Sequence, residues 1–186
     1  MLRLDANNYA ITIENDSDYS VGSADNVRQY DREIALDATS GYTTTSRHAI
    51  TVFDGDRILT SVILLAGGGA SGVHEHSAIV VDDTCFVAVG PYVVSLSIPT
   101  LEMRWSTESD SATCFGVYYA GRHELLISHG ELEIAALRTD GRIVWSSGGA
   151  DIFTNGFDLR DDAVRVRDWD NRDYWFDIKT GTENRG

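Results

Sequence analysis

Leu137-Arg138-Thr139-Asp140-Gly141-Arg142-Ile143-Val144-Trp145 joins an apolar run to an Asp-Gly turn, then to a β-branched step ending in tryptophan. Asp-Gly between apolar runs marks a turn for a physical reason. Glycine takes positive φ at no steric cost, and aspartate bonds its own backbone. Forty residues further on, Phe176-Asp177-Ile178-Lys179-Thr180-Gly181 repeats the first half of this stretch. Forty residues back, Leu96-Ser97-Ile98-Pro99-Thr100-Leu101-Glu102-Met103-Arg104-Trp105 repeats it more loosely.

Each copy follows a similar train of short apolar runs. Ala78 to Val81, Cys85 to Val89 and Tyr92 to Leu96 are split by Asp82-Asp83-Thr84 and Gly90-Pro91. Phe115 to Tyr119, Leu125 to Ser128 and Leu132 to Leu137 come next, split by Gly121-Arg122 and Gly130. A third pass runs through Phe157-Asp158-Leu159, Val164-Arg165-Val166 and Tyr174 to Ile178. A period of roughly 40 to 45 residues with four short strands is the pattern of propeller blades. One such sheet cannot bury both faces, so units cover one another in series and the end units need caps. The expected fold is therefore all-β: a propeller-like stack of about four antiparallel four-stranded units, a small or incomplete β-propeller. The alternative is a two-sheet β-sandwich.

In these stretches the chain resembles the quinoprotein-type (PQQ-like) propeller repeat, over about the last 110 residues. The resemblance implies four-stranded antiparallel blades, with the tryptophan packed between neighbours. Quinoprotein enzymes have about twice the blades this length encodes, at roughly 40 residues each. No cofactor, catalytic residue or calcium ligand is carried over from them.

The first part of the chain repeats less. Tyr9 to Glu14 alternates as a half-buried strand ended by Asn15-Asp16. His48 to Phe53, the turn Asp54-Gly55-Asp56 and Arg57 to Leu65 read as a hairpin. In 24–36, Val27, Tyr30 and Ile34 have helical spacing, but the β surroundings favour strand and loop. Residues 1–186 are expected to form one β domain, with 1–45 an irregular capping segment and 46–186 the repeat units. The glycine-rich stretch 66–72 reads as a turn, or as a loop contacting an anion or ligand; it lacks the lysine and spacing of a P-loop.

A formal charge of −14 repels nucleic acid and anionic membrane. It complements a basic protein partner. No apolar run is long enough to span a bilayer, which sets the expectation of a cytoplasmic protein. A monomer or weak homo-oligomer is expected. Cys85 and Cys114 sit inside apolar runs and read as buried free thiols.

The residues able to carry chemistry are few. His74-Glu75-His76 puts two imidazoles on one face of a strand, and His129 would be the third ligand of a metal site. Glu75, Asp110, Cys114 and Glu131 are candidates to line a ligand pocket where blade loops meet. Cys114 with His129 also satisfies the bare requirement for a thiol nucleophile. The pairs Asp82-Asp83 and Asp161-Asp162 are turn formers, and Arg165 to Arg172 reads as a solvated hairpin. The leading functional expectation is a non-enzymatic protein-interaction module with an acidic surface. Its most specific form is an immunity-type binder of a basic partner. The alternative is a small ligand- or metal-binding protein, or a hydrolase, using a loop mouth near His74, His76, Cys114 and His129. No cofactor and no catalytic residue are assigned; a divalent metal belongs to the alternative.

Overall fold

The computed structural model describes residues 1–36 and 43–184. The first sheet holds β1 (Leu2–Ala6), β2 (Tyr9–Asn15), β3 (Arg32–Ala35), β4 (Ser46–Asp54) and β5 (Arg57–Ala66), in the order β1-β2-β4-β5-β3. The second runs in chain order through β6 (Ala78–Val81), β7 (Thr84–Val89), β8 (Tyr92–Ser97) and β9 (Met103–Glu108). The third repeats that order with β10 (Cys114–Ala120), β11 (Leu125–Gly130), β12 (Glu133–Arg138) and β13 (Ile143–Gly148). The fourth has β14 (Phe157–Leu159), β15 (Ala163–Arg167) and β16 (Asp173–Asp177). An isolated antiparallel bridge pairs Phe176 with Glu183 beside β16. No helix among the described residues is long and apolar enough to cross a membrane.

The side-chain alternation of the middle strands explains the stacking. In β7, Cys85, Val87 and Val89 pack against Ile50, Val52, Val62 and Leu64 of the first sheet. Phe86 and Ala88 point the other way, to Val117, Leu126, Ala135 and Leu137 of the third. Ile127, Ile134 and Ala136 then face Val164, Val166 and Phe176 of the fourth. Strands covered on both faces are apolar at every position, so they read as unbroken runs rather than as alternation. Each fully buried Leu, Ile or Phe in such a junction contributes about 1.5–3 kcal/mol. This series of sheets is the expected propeller-like stack; a two-sheet sandwich does not form.

Trp105 and Trp145 occupy equivalent settings. The indole N–H of Trp105 donates to the Thr139 carbonyl at 3.0 Å, and that of Trp145 to the Ile178 carbonyl at 2.9 Å. Thr107 and Ser147, two residues on, donate to the carbonyls of Gly141 and Gly181, both at 2.8 Å. Gly141 and Gly181 have φ of +88° and +67°, and a Cβ on either would lie within 2.6 Å of the ring. Each tryptophan thus lies flat on the glycine turn of the next sheet.

The junction between the first and second sheets solves the problem differently. All four tryptophans lie at position 105 or beyond. Where the later sheets have glycine, the second has Leu101, also at positive φ (53°) and fully buried in the apolar cluster shared with the first sheet. The hydrogen bond to the turn comes from Arg32 on β3, whose guanidinium donates to the Thr100 carbonyl at 2.5 Å.

The expectations need adjusting in detail. β3 pairs parallel to β5, so the first sheet has five strands and is not wholly antiparallel. The division at 45/46 cuts through that sheet: β1, β2 and β3 lie on one side of it and β4 and β5 on the other. Residues 37–42 of the proposed cap lie outside the described residues. Strand and loop prevail over helix in 24–36, because Ile34 and Leu36 pack with the core alongside β5.

Gly181→Ala should lower the melting temperature far more than Gly55→Ala. Both have positive φ, but nothing lies within 4 Å of a Cβ at Gly55. The backbone term alone is about 1 kcal/mol, whereas loss of Trp145 to alanine costs about 3–5 kcal/mol. Thermal melts of the three variants check the order Trp145→Ala, Gly181→Ala, Gly55→Ala.

Candidate functional site

Residues 73–77 run along the free edge of β10, the first strand of the third sheet. The Val117 amide donates to the His76 carbonyl at 2.9 Å, and the His74 ring bonds the Phe115 carbonyl through Nε2 at 2.7 Å. A carbonyl only accepts, so His74 carries its proton on Nε2. Its Nδ1 accepts the His76 amide at 3.2 Å. Both nitrogens of His74 are therefore engaged with backbone.

His76 leans on Tyr118, with ring centroids 4.7 Å apart. Tyr118 stacks on Phe157 at 4.2 Å, Phe157 on His129 at 4.7 Å, and Phe115 meets His129 edge-on at 5.5 Å. The histidine-bearing segments thus converge as an aromatic ladder across β10, β11 and β14. His74 and His76 lie 6.1 Å apart in an edge-to-face arrangement. Among the described residues, no group of three or more His, Cys, Asp and Glu side chains is placed to hold a metal ion. His74, His76 and His129 are brought together as packed rings, not as a ligand set.

The ligand-pocket candidates have other occupations. Asp110 is buried, and each of its oxygens accepts two backbone amides: Ala112 at 2.6 Å and Thr113 at 2.9 Å on one, Leu132 and Glu133 at 2.8 Å on the other. It ties the link after β9 to the β11–β12 hairpin. Glu131 serves through its backbone, its amide donating to Thr113 and its carbonyl accepting from Phe153. Glu75 is exposed, 3.3 Å from the His76 ring. Cys114 is buried beside Ser128, 3.0 Å from its hydroxyl, and burial pushes the thiol up to about 11. A thiol so held is not a nucleophile near neutral pH. The glycine-rich loop is a packing device: a Cβ on Gly69 would overlap the Thr113 hydroxyl.

Three features escaped the sequence. Asp168, inside the expected solvated hairpin, is fully buried and accepts the Arg172 amide at 2.8 Å and the Tyr174 hydroxyl at 3.0 Å. Tyr118 and Phe157 carry the ladder, yet nothing local marks them. His48, within a regular strand, is fully buried with Nε2 at 3.2 Å from the Ser71 carbonyl.

These sheets and junctions define a propeller-like β-repeat protein. The chain is similar to BamB from Moraxella catarrhalis, at 14% identity and a TM-score of 0.53 over 77% of this chain and 50% of that one. It is also similar to the computationally designed Ika8 protein, at 11% identity and a TM-score of 0.55 over 99% of this chain and 60% of that one. Likeness at these identities shows the fold alone, and the chain spans about half the length of the first and 60% of the second. No family model matches the chain, and no curated protein matches it by sequence.

Burial lowers His48 and His129 to about 4, so both are neutral in the folded chain at pH 7. The unfolded chain protonates them near 6.5 and thus binds more protons between pH 6.5 and 4. Stability is then full above pH 6.5 and is lost as pH falls through that window, by up to about 3 kcal/mol per histidine. Arg167 and Arg165 hold Asp173 down to about 2, so its share is lost separately, as pH falls from 3.8 towards 2. His129→Phe keeps a ring in the ladder and removes one titration. Melting curves between pH 7 and 4 should be shallower for this variant; an unchanged pH slope would refute the assignment.

Zn²⁺ or Ni²⁺ added to tag-free protein should leave the melting temperature unchanged, because His74 has no free lone pair. A rise of several degrees that His74→Ala removes would restore the metal reading.

Proposed function

We propose that this chain is a non-enzymatic protein-interaction module that binds a basic partner through its acidic surface. The observation carrying this reading is a cleft of about 600 Å³ between the end of β2 and residues 16–28. Glu14, Asp16, Asp18 and Asp25 line it, against a single arginine, Arg28, which is paired with Glu14. Val27 is fully exposed there and Met1 nearly so. A lysine or arginine suits such a surface: the aliphatic stem lies on the apolar side chains and the charged head reaches the carboxylates. The net charge of −14 adds long-range steering of a cationic partner.

The PQQ-like character of the repeats belongs to this proposal as its scaffold, a rigid stack presenting loops and edges. An immunity-type protein capping a basic toxin domain inside the cytoplasm is the most specific form of the reading. The competing reading, a ligand pocket or hydrolase at the inner mouth, draws on side chains that already serve the backbone.

Calorimetry with poly-L-lysine and poly-L-glutamate tests the proposal. Poly-L-lysine should bind, and raising salt from about 25 to about 300 mM should weaken it at least tenfold. Asp16→Asn, Asp18→Asn and Asp25→Asn together should weaken it by a similar factor. Neutralising Asp151, Asp158 and Asp161 at the other end should change little. Equal loss from both triple variants would leave only a general charge effect and remove the cleft from the proposal.

A further inference from the structure

The outer face of the first sheet carries a second opening beside the acidic cleft, a groove of about 320 Å³. Cross-strand pairing sets its floor. Thr12 of β2 lies opposite Thr51 of β4, which lies opposite Ser61 of β5. These short side chains leave depth above the sheet. Phe53 and Ile58, paired across β4 and β5, stand at one end, and Ile58 is 60% exposed. Tyr30 walls the side.

Glu14 and Arg28 line both this groove and the acidic cleft. Their ion pair is therefore the partition between the two openings. Glu14 belongs to β2, and Arg28 to the segment between β2 and β3. The pair is held at the surface, with the arginine side chain 56% exposed. Exposed pairs of this kind contribute little to stability, so a competing cation can take the place of the arginine at small cost. On the cleft side, the Asp25 carboxylate has no partner among the described residues, and Asp18 accepts only the Ser17 hydroxyl, at 3.4 Å. Arg28 on Glu14 shows which kind of group this place holds.

We propose that Arg28 is a gate: the cation of a basic partner displaces it from Glu14, cleft and groove join into one trough, and a large apolar side chain of the same partner segment settles between Phe53 and Ile58. This rests on the reading of the cleft given above and adds the identity of the segment that binds. Strand register sets the spacing. Glu14 stands opposite Ala49, and Ala49 and Phe53 lie on one face of β4, four residues apart. At roughly 3.3 Å per residue the separation is about 13 Å, the span of four residues of an extended chain. The occupant is an extended segment with lysine or arginine four residues from leucine or a similar apolar residue. A bare polycation fills only the cleft.

Fluorescence anisotropy with labelled Gly-Arg-Ser-Gly-Ser-Leu-Gly and its reverse tests this, with poly-L-lysine as the probe of the cleft alone. One direction should bind about tenfold more tightly than versions with serine for the leucine, or with the leucine moved next to the arginine. Ile58→Thr should abolish that preference and leave poly-L-lysine binding unchanged. Arg28→Gln should tighten the peptide about threefold. Arg142→Gln, the same change of charge between β12 and β13, should not. All three are surface changes, and melting curves confirm folding. Poly-L-lysine bound without any preference for leucine overturns the trough and leaves the cleft standing. A leucine preference that survives Ile58→Thr does the same. An effect of Arg28→Gln no larger than that of Arg142→Gln overturns the gate. Failure of poly-L-lysine and both peptides to bind removes both readings.

Discussion

A β-sheet that is apolar on both faces has to be covered on both, and every other feature of this chain answers to that requirement. The second and third sheets meet it by lying between neighbours, so Phe86 and Val87, adjacent in sequence, serve different cores. Covering alone would let sheets slide over one another. The indole resting on a glycine turn prevents this, because flat contact and a hydrogen bond are satisfied together at one register only. Backbone conformation, packing and hydrogen bonding thus agree at each junction, and such agreement between levels gives a chain one native arrangement.

Much of this was legible because the repeating parts are local. Trp145 and Gly181 are far apart in sequence, but each sits in a recognisable short pattern, and the repetition of the pattern revealed the period. What was not legible depended on partners distant in sequence. Leu101 stands in a glycine position, and only the absence of an indole on the first sheet explains why a leucine is buried there at positive φ. The parallel pairing of β3 follows a long connection, and no short-range rule predicts its neighbour. Asp168 sits among charges and reads as exposed, until the fold brings Tyr174 to its second oxygen.

The candidate site shows the same division. What the structure brings together as an aromatic ladder, the sequence only raised as a meeting of histidine-bearing segments that it left open. It did not reveal what they touch. His74 is taken up by the backbone of Phe115 and His76, His129 by aromatic faces, and Asp110 by four amides. The inner mouth of a propeller leaves many edge amides and carbonyls of first strands without sheet partners. Side chains with polar reach are recruited there first to satisfy backbone. The acidic cleft lies elsewhere, beside a segment that belongs to no repeat, and there Asn15 and Asn26 take up that duty beside the carboxylates.

The exchange at position 101 bears on how such chains change over time. Glycine with an indole above it and leucine with none are each sound, whereas either half combined with the other's partner is strained or hollow. Going from one arrangement to the other needs two coupled replacements in different sheets, so the unit that has to stay intact is the seam and not the blade. Recombination that swaps whole blades cuts through the seams, and its viable crossover points lie inside sheets, between a tryptophan strand and the hairpin that precedes it.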